Sequence, residues 1–166
     1  KQFMKLFPES AYFQLEFDKV KVLLANYCQT DHARNRAEQL RIHTRKEFID
    51  TELRQSHEYR QLISNSIYFP NDHILNLGKE LKLLSIPGAL LSGEQFLLLR
   101  KLAESIEKIF RWFDQERRSA YGALARVIDD TFYEKAIIGM IDDVLDESGQ
   151  VKDNASNELK EIRLNL

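Results

Sequence analysis

Between Ser92 and Phe113, in the run SGEQFLLLRKLAESIEKIFRWF, apolar residues recur at steps of three and four. Phe96, Leu99, Leu102, Ala103, Ile106, Ile109, Phe110 and Phe113 therefore share one broad helical face, and such a face is stable in water only against other apolar surface. Ser92 with Gln95 three residues on is a capping box, whose side chains satisfy the free N–H groups of a helix start. No residue of the stripe carries chemistry, so the helix is expected to be scaffold, with Phe110 and Phe113 buried and Trp112 at its edge.

The remainder of the chain fits long helices. Only 6 glycines and 3 prolines occur among 166 residues, too little turn chemistry for a sheet protein. Phe17 to Cys28 reads as a helix with Val20, Leu23, Leu24, Tyr27 and Cys28 on its inner face. Thr30 caps a second helix through Leu40, with Ala33, Ala37 and Leu40 inward, so the two form a hairpin. Thr44 and Glu47 form a second capping box, opening a helix to about Ser64 with Phe48, Leu53, Tyr59, Leu62 and Ile63 on one face. The segment SNSIYFPNDH is a loop, and a shorter helix follows from Ile74 to Ser85, ended by Pro87-Gly88. Beyond the Ser92 helix, Arg117-Arg118 leads into a helix containing Leu124, Val127 and Ile128. Thr131 is placed to cap another, Phe132 to Leu145. Asp146 to Ala155 is expected to form a tight turn with an extended piece at Val151, and Ser156 to cap the last helix. Residues 1 to 14, with Pro8 among Phe3, Met4, Leu6, Phe7, Tyr12 and Phe13, read as a docked arm. The fold expected is an all-α, irregular multi-helix bundle.

Composition excludes several classes. There are 24 basic and 26 acidic residues, a net charge of -2, so no global field draws the chain to nucleic acid or anionic lipid. No stretch approaches the ~18 apolar residues of a membrane span, and the amino terminus lacks a signal-peptide pattern. One cysteine, Cys28, excludes an internal disulfide and a multi-cysteine zinc site and fits a reducing cytoplasm; it lies on an apolar helical face and reads as a buried structural thiol. His32, His43, His57 and His73 are never three or four apart, so no helical turn supplies a metal-ligand pair. Gly88 and Gly93 have the spacing of a phosphate-binding loop, but Glu94-Gln95 stand where Lys and Ser or Thr are required. Asp142, Asp143, Asp146 and Glu147 fail the spacing of a calcium loop and read as a solvated face or a partner contact. No catalytic, cofactor-binding or metal-binding residue is expected.

Arg41, Arg45, Lys46, Arg117 and Arg118 stand near expected helix ends and loops, where basic side chains reach phosphates. Around the first three, residues 31 to 63 hold seven basic and six acidic side chains. Surface pairing is thus the competing role for them.

Four segments carry a family resemblance: Leu15-Glu16-Phe17-Asp18-Lys19-Val20, the Tyr27 to Leu40 stretch with Thr30 and Arg36-Ala37-Glu38, SIPGALLSGEQF from Ser85 to Phe96, and GQVKDNASNELKEIR from Gly149 to Arg163. Together they resemble the amino-terminal part of the MutS superfamily in its second branch, whose members often carry a small-MutS-related nuclease domain. The resemblance implies a helical core domain over residues 1–155 and the start of a long lever helix over 156–166, joining a DNA clamp to a carboxyl-terminal ATPase. The absent initiator Met and the helical spacing still present at Leu166 are what a piece of a longer protein would show. ATP, magnesium and homodimerisation are then expected of the full-length ATPase rather than of this piece. DNA is the expected partner of the whole protein, and in some members a ribosome; no membrane contact is expected.

Phe132-Tyr133-Glu134 matches the Phe-x-Glu mismatch reader of the repair branch. That reader lies in a separate mixed α/β domain, whereas these residues are expected to open an amphipathic helix with Phe132 or Tyr133 in the core. A second function class is a helical protein-interaction module acting through the acidic face from Asp142 to Glu147.

Overall fold

The computed structural model describes residues 7–8, 10–71 and 75–165. Among them every element is helical apart from one isolated antiparallel bridge, Leu145 to Val151. The expected all-α class is what the chain adopts. Tertiary contacts divide it into two compact units, one up to Ile67 and one from Tyr68.

The first unit holds α1 (Ala11–Gln14), α2 (Phe17–Asn26), α3 (Asp31–Glu38) and α4 (Lys46–Ser64). Thr30 caps α3 by accepting the Ala33 N–H at 3.1 Å, as its position predicts. Helices α2 and α3 pack as a hairpin, but through a different face from the expected one. Ala25 and Ala37 are buried, with Phe17, Lys21 and Cys28 half-buried beside Ala25. Val20, Leu23, Leu24 and Tyr27 stay exposed, Tyr27 at 84%. Small residues permit close backbone approach, and Lys21 Nζ donates to the Glu38 carbonyl at 3.0 Å, placing a cation at the negative carboxyl end of α3. Cys28 is half-buried rather than core, its Sγ donating to the Leu24 carbonyl. Leu40 is also exposed.

The Thr44 capping box does not form. Arg45 occupies the N-cap of α4 without a side-chain cap. Leu62, 1% exposed, is the buried anchor of α4, while Leu53 and Ile63 face out. Of the proposed docked arm, residues 1–6 and 9 lie outside the described residues; Phe7 is 97% exposed and Phe13 is exposed too.

The second unit holds α5 (Gly78–Leu84), α6 (Gly93–Trp112), α7 (Gln115–Ala120), α8 (Gly122–Ala125) with a 3-10 turn at Arg126–Ile128, α9 (Ala136–Val144) and α10 (Asn157–Leu164). The Ser92 capping box is complete: Gln95 N–H donates to Ser92 Oγ at 3.3 Å and Ser92 N–H to Gln95 Oε1 at 2.9 Å. At the other end of α6 the core is aromatic. Trp112 and Phe113 are buried, their rings 4.9 Å apart and edge-on, with Phe69 5.0 Å from Trp112. The indole N–H donates to the Tyr68 carbonyl at 2.8 Å, which satisfies the one polar atom of a buried tryptophan.

Helix α9 starts later than the sequence predicts. Thr131 does not cap it; its hydroxyl donates back to the Ile128 carbonyl, and residues 132–135 run irregularly into Ala136. The predicted turn at 146–155 is present: Asp146 N–H donates to the Gln150 carbonyl and Lys152 N–H to the Val144 carbonyl, both at 2.9 Å. Ser156 caps α10 by accepting the Leu159 N–H at 3.1 Å.

Candidate functional site

The five candidate phosphate-contacting residues fall into two groups of different character. Arg41 and Arg45, on the connection into α4, are exposed, and among the described residues neither has an ion-pair partner. Lys46 pairs one turn on with Asp50 at 2.5 Å. In the second unit, Arg117 and Arg118 are bonded within the fold. Arg117 pairs with Asp114 at 2.8 Å, donates to the Trp112 carbonyl at 3.1 Å and lies 5.0 Å over the indole ring. Arg118 donates to the Phe113 carbonyl at 3.0 Å and reaches Asp129 at 3.5 Å. Both close off the carboxyl end of α6, where cations are favoured.

The acidic cluster divides similarly. Asp142 accepts Arg100 Nε at 2.5 Å and Nη2 at 3.0 Å, while Arg100 Nη1 meets Glu104 at 2.6 Å. The Arg100 hydrogen bonds hold the Asp142 carboxyl below the usual carboxylate range against the opposing cost of desolvation. Lys152 Nζ also donates to the Asp142 carbonyl. Asp146 Oδ1 accepts the Ser148 hydroxyl at 2.7 Å and the N–H groups of Ser148 and Gln150, each at 2.9 Å. These bonds, the hydroxyl's first, lower its pKa as well. Thus two of the four acids build the fold, and Asp143 and Glu147 are the exposed ones. No group of three or more His, Cys, Asp or Glu able to hold a metal occurs among the described residues.

Phe132-Tyr133-Glu134 is not a helix start. Phe132 is 86% exposed, Tyr133 lies against Phe110 with ring centroids 5.9 Å apart, and Glu134 Oε1 accepts the Ala136 N–H at 3.0 Å. The connection before α9 is held locally by that carboxylate, which leaves Phe132 outside the core.

The second unit also has a concave apolar feature that no local sequence pattern announces. Helices α6 and α9 pack together and leave an open apolar groove of about 700 Å³. Phe96, Leu99 and Ile106 of α6 line it opposite Ile137, Met140 and Val144 of α9, and Glu134 is its one ionisable carboxylate. Leu81 and Leu84 of α5, Phe132 and Tyr133 of the connection before α9, and Leu145 and Val151 of the turn after it complete the lining.

Comparison with known proteins finds relatives over nearly the whole chain. The endonuclease MutS2 of Aquifex aeolicus (strain VF5) is 29% identical over 161 residues, 95% of this chain and 20% of that protein. The endonuclease MutS2 of Lactococcus lactis subsp. lactis (strain IL1403) is 29% identical over 157 residues, 92% of this chain and 19% of its own length. The chain thus spans about a fifth of the curated relatives it matches and is related to a segment of MutS-type proteins. No family model matches it, and no solved structure does. No helix among the described residues is long and apolar enough to cross a membrane.

Proposed function

We propose that this chain is a non-catalytic helical core and lever segment of a MutS-type DNA-repair or recombination-control ATPase, transmitting the state of the ATPase to a DNA clamp. The observation that carries the reading is the match across 95% of the chain to only a fifth of a MutS2 protein, in a chain built of helices. The use of ionisable groups supports it: Arg100, Asp142 and Asp146 are committed to internal bonds that fix helix and turn geometry. ATP, magnesium, dimerisation and any nuclease belong, in this reading, to the remainder of the polypeptide, and Arg41 and Arg45 are its phosphate contacts.

Purified residues 1–166 are expected to show no ATP hydrolysis and at most weak DNA binding that salt abolishes, since a few phosphate contacts give a steep salt dependence. Tight DNA binding that persists at high salt would refute the reading. A helical interaction module, including a ribosome-associated one, is the second reading, and the apolar groove favours it more than the acidic face does. Reversing the charges of Asp143 and Glu147 is expected to leave protein partners in place; loss of a partner would return the interaction to the acidic face.

A further inference from the structure

No residue of α10 is buried, so its direction is set where it is attached rather than by a core of its own. The attachment is short. Ser156 caps α10, and only Asp153, Asn154 and Ala155 separate that cap from Lys152. The Ala155 N–H donates to the Lys152 carbonyl at 3.0 Å, and a hydrogen-bonded turn of this length leaves no slack between Lys152 and the helix.

Lys152 is fastened to α9 through both its backbone and its side chain. Its N–H donates to the Val144 carbonyl at 2.9 Å, and its ammonium donates to the Asp142 carbonyl. Both acceptors stand in the last turn of α9, where carbonyls have no partner within the helix and a cation is favoured. The Asp142 carboxylate is in turn held to α6 by Arg100. Nearby, the backbone of Gly149 closes against Gly93 at the start of α6. On the other side, Arg163 in α10 pairs with Asp153, the neighbour of Lys152. Bonds running back to α6 and α9 therefore meet bonds running on to α10 at this one half-buried lysine. Its own partner is a carbonyl, and Asp153 is 79% exposed, so these contacts add little to stability. What they fix is an angle.

We propose that Lys152 is a positioning residue that sets the direction in which α10 leaves the second unit. It thereby aligns the path by which the state of the ATPase reaches the DNA clamp, a role that rests on the reading of α10 as the root of a lever.

The test uses the full polypeptide with spin-labelled unnatural amino acids at exposed Lys101 of α6 and Lys160 of α10, diluted with unlabelled protein so that only distances within one chain are read. Pulsed electron resonance should give one narrow distance in the parent and in Lys152→Arg, which keeps a donor. In Lys152→Met, which keeps the stem and loses the donor, the distribution should broaden while the melting temperature falls by no more than a few degrees. A distribution as narrow in Lys152→Met as in the parent, equal broadening in Lys152→Arg, or a broad distribution in the parent each overturns the proposal. Lys152→Met should also reduce the effect of DNA on ATP hydrolysis by about twofold or more, with the basal rate unchanged and Lys152→Arg like the parent; an undiminished DNA effect overturns the aligning role. A parent whose ATP hydrolysis ignores DNA refutes the coupling reading instead, while the distance measurement, which involves neither ATP nor DNA, still decides what Lys152 does.

Discussion

Arg100 joins α6 to α9 through Asp142, and the bond carries a pH signature. Because the folded carboxyl binds a proton less readily than the unfolded one, its contribution is present above the ordinary carboxylate value of about 4. It is lost as pH falls through the lowered folded value. Both side chains are partly in water, so solvent screening keeps the contribution small. Asp142→Asn is expected to cost about 1 kcal/mol at neutral pH, and urea unfolding should show the gap to the parent closing in acid. A gap that stays constant with pH would remove the ionised pair from the explanation. A second residue-scale prediction concerns Gly93. A Cβ there would stand 1.8 Å from the Gly149 carbonyl oxygen, so the start of α6 and the 146–152 turn must part to admit it. Gly93→Ala should lose roughly 1–3 kcal/mol by denaturant unfolding; a neutral result would show that the turn is free to move. Arg41→Ala with Arg45→Ala, in the full polypeptide, should weaken DNA binding and flatten its salt dependence by about one charge per residue, which a titration at several salt concentrations measures. The same changes at Arg117 and Arg118 should act on stability instead, because those side chains hold the Trp112 and Phe113 carbonyls.

At the scale of elements, α6 has two different halves. Its carboxyl end is core: Phe113 is 4% exposed and meets both Trp112 and Phe69 edge-on. Phe113→Ala should cost about 3–5 kcal/mol, while Phe110→Ala, at a half-buried ring against Tyr133, should cost clearly less. Calorimetry or urea unfolding of the two variants checks the order, and equal losses would mean that burial of the stripe is uniform. The start of α6 was legible because a capping box is closed by residues three apart. The start of α4 differs from its sequence pattern for a reason just as physical: Thr44 and Glu47 have the right spacing, yet the chain enters the helix one residue later, at Arg45. Helix α9 shows the same limit. Its apolar run was legible, but its first turn was assigned to residues 132–135, where Glu134 accepts the Ala136 N–H in an irregular connection.

For the whole molecule, the large apolar side chains left exposed, among them Leu23 and Tyr27 in the first unit and Phe132 and Met140 in the second, govern the expected behaviour. The denaturant dependence of unfolding scales with the surface newly exposed. The urea m-value should therefore fall below that of a protein of 166 residues with such side chains buried; a value typical of that length would show that the exposed stripes are covered in solution. The sequence by itself determined the helical class, the caps at Thr30, Ser92 and Ser156, and the turn at 146–155, because these depend on residues within a few positions of one another. Tertiary structure alone decided which faces are used. Ala25 rather than Leu23 or Leu24 faces α3, because small side chains let two backbones approach. Asp142 belongs to Arg100, 42 residues away, rather than to a solvated acidic face. The groove is lined by α6 and α9 together with Leu81 and Leu84 of α5 and Val151 of the following turn, residues far apart in the chain that only the fold brings to one place.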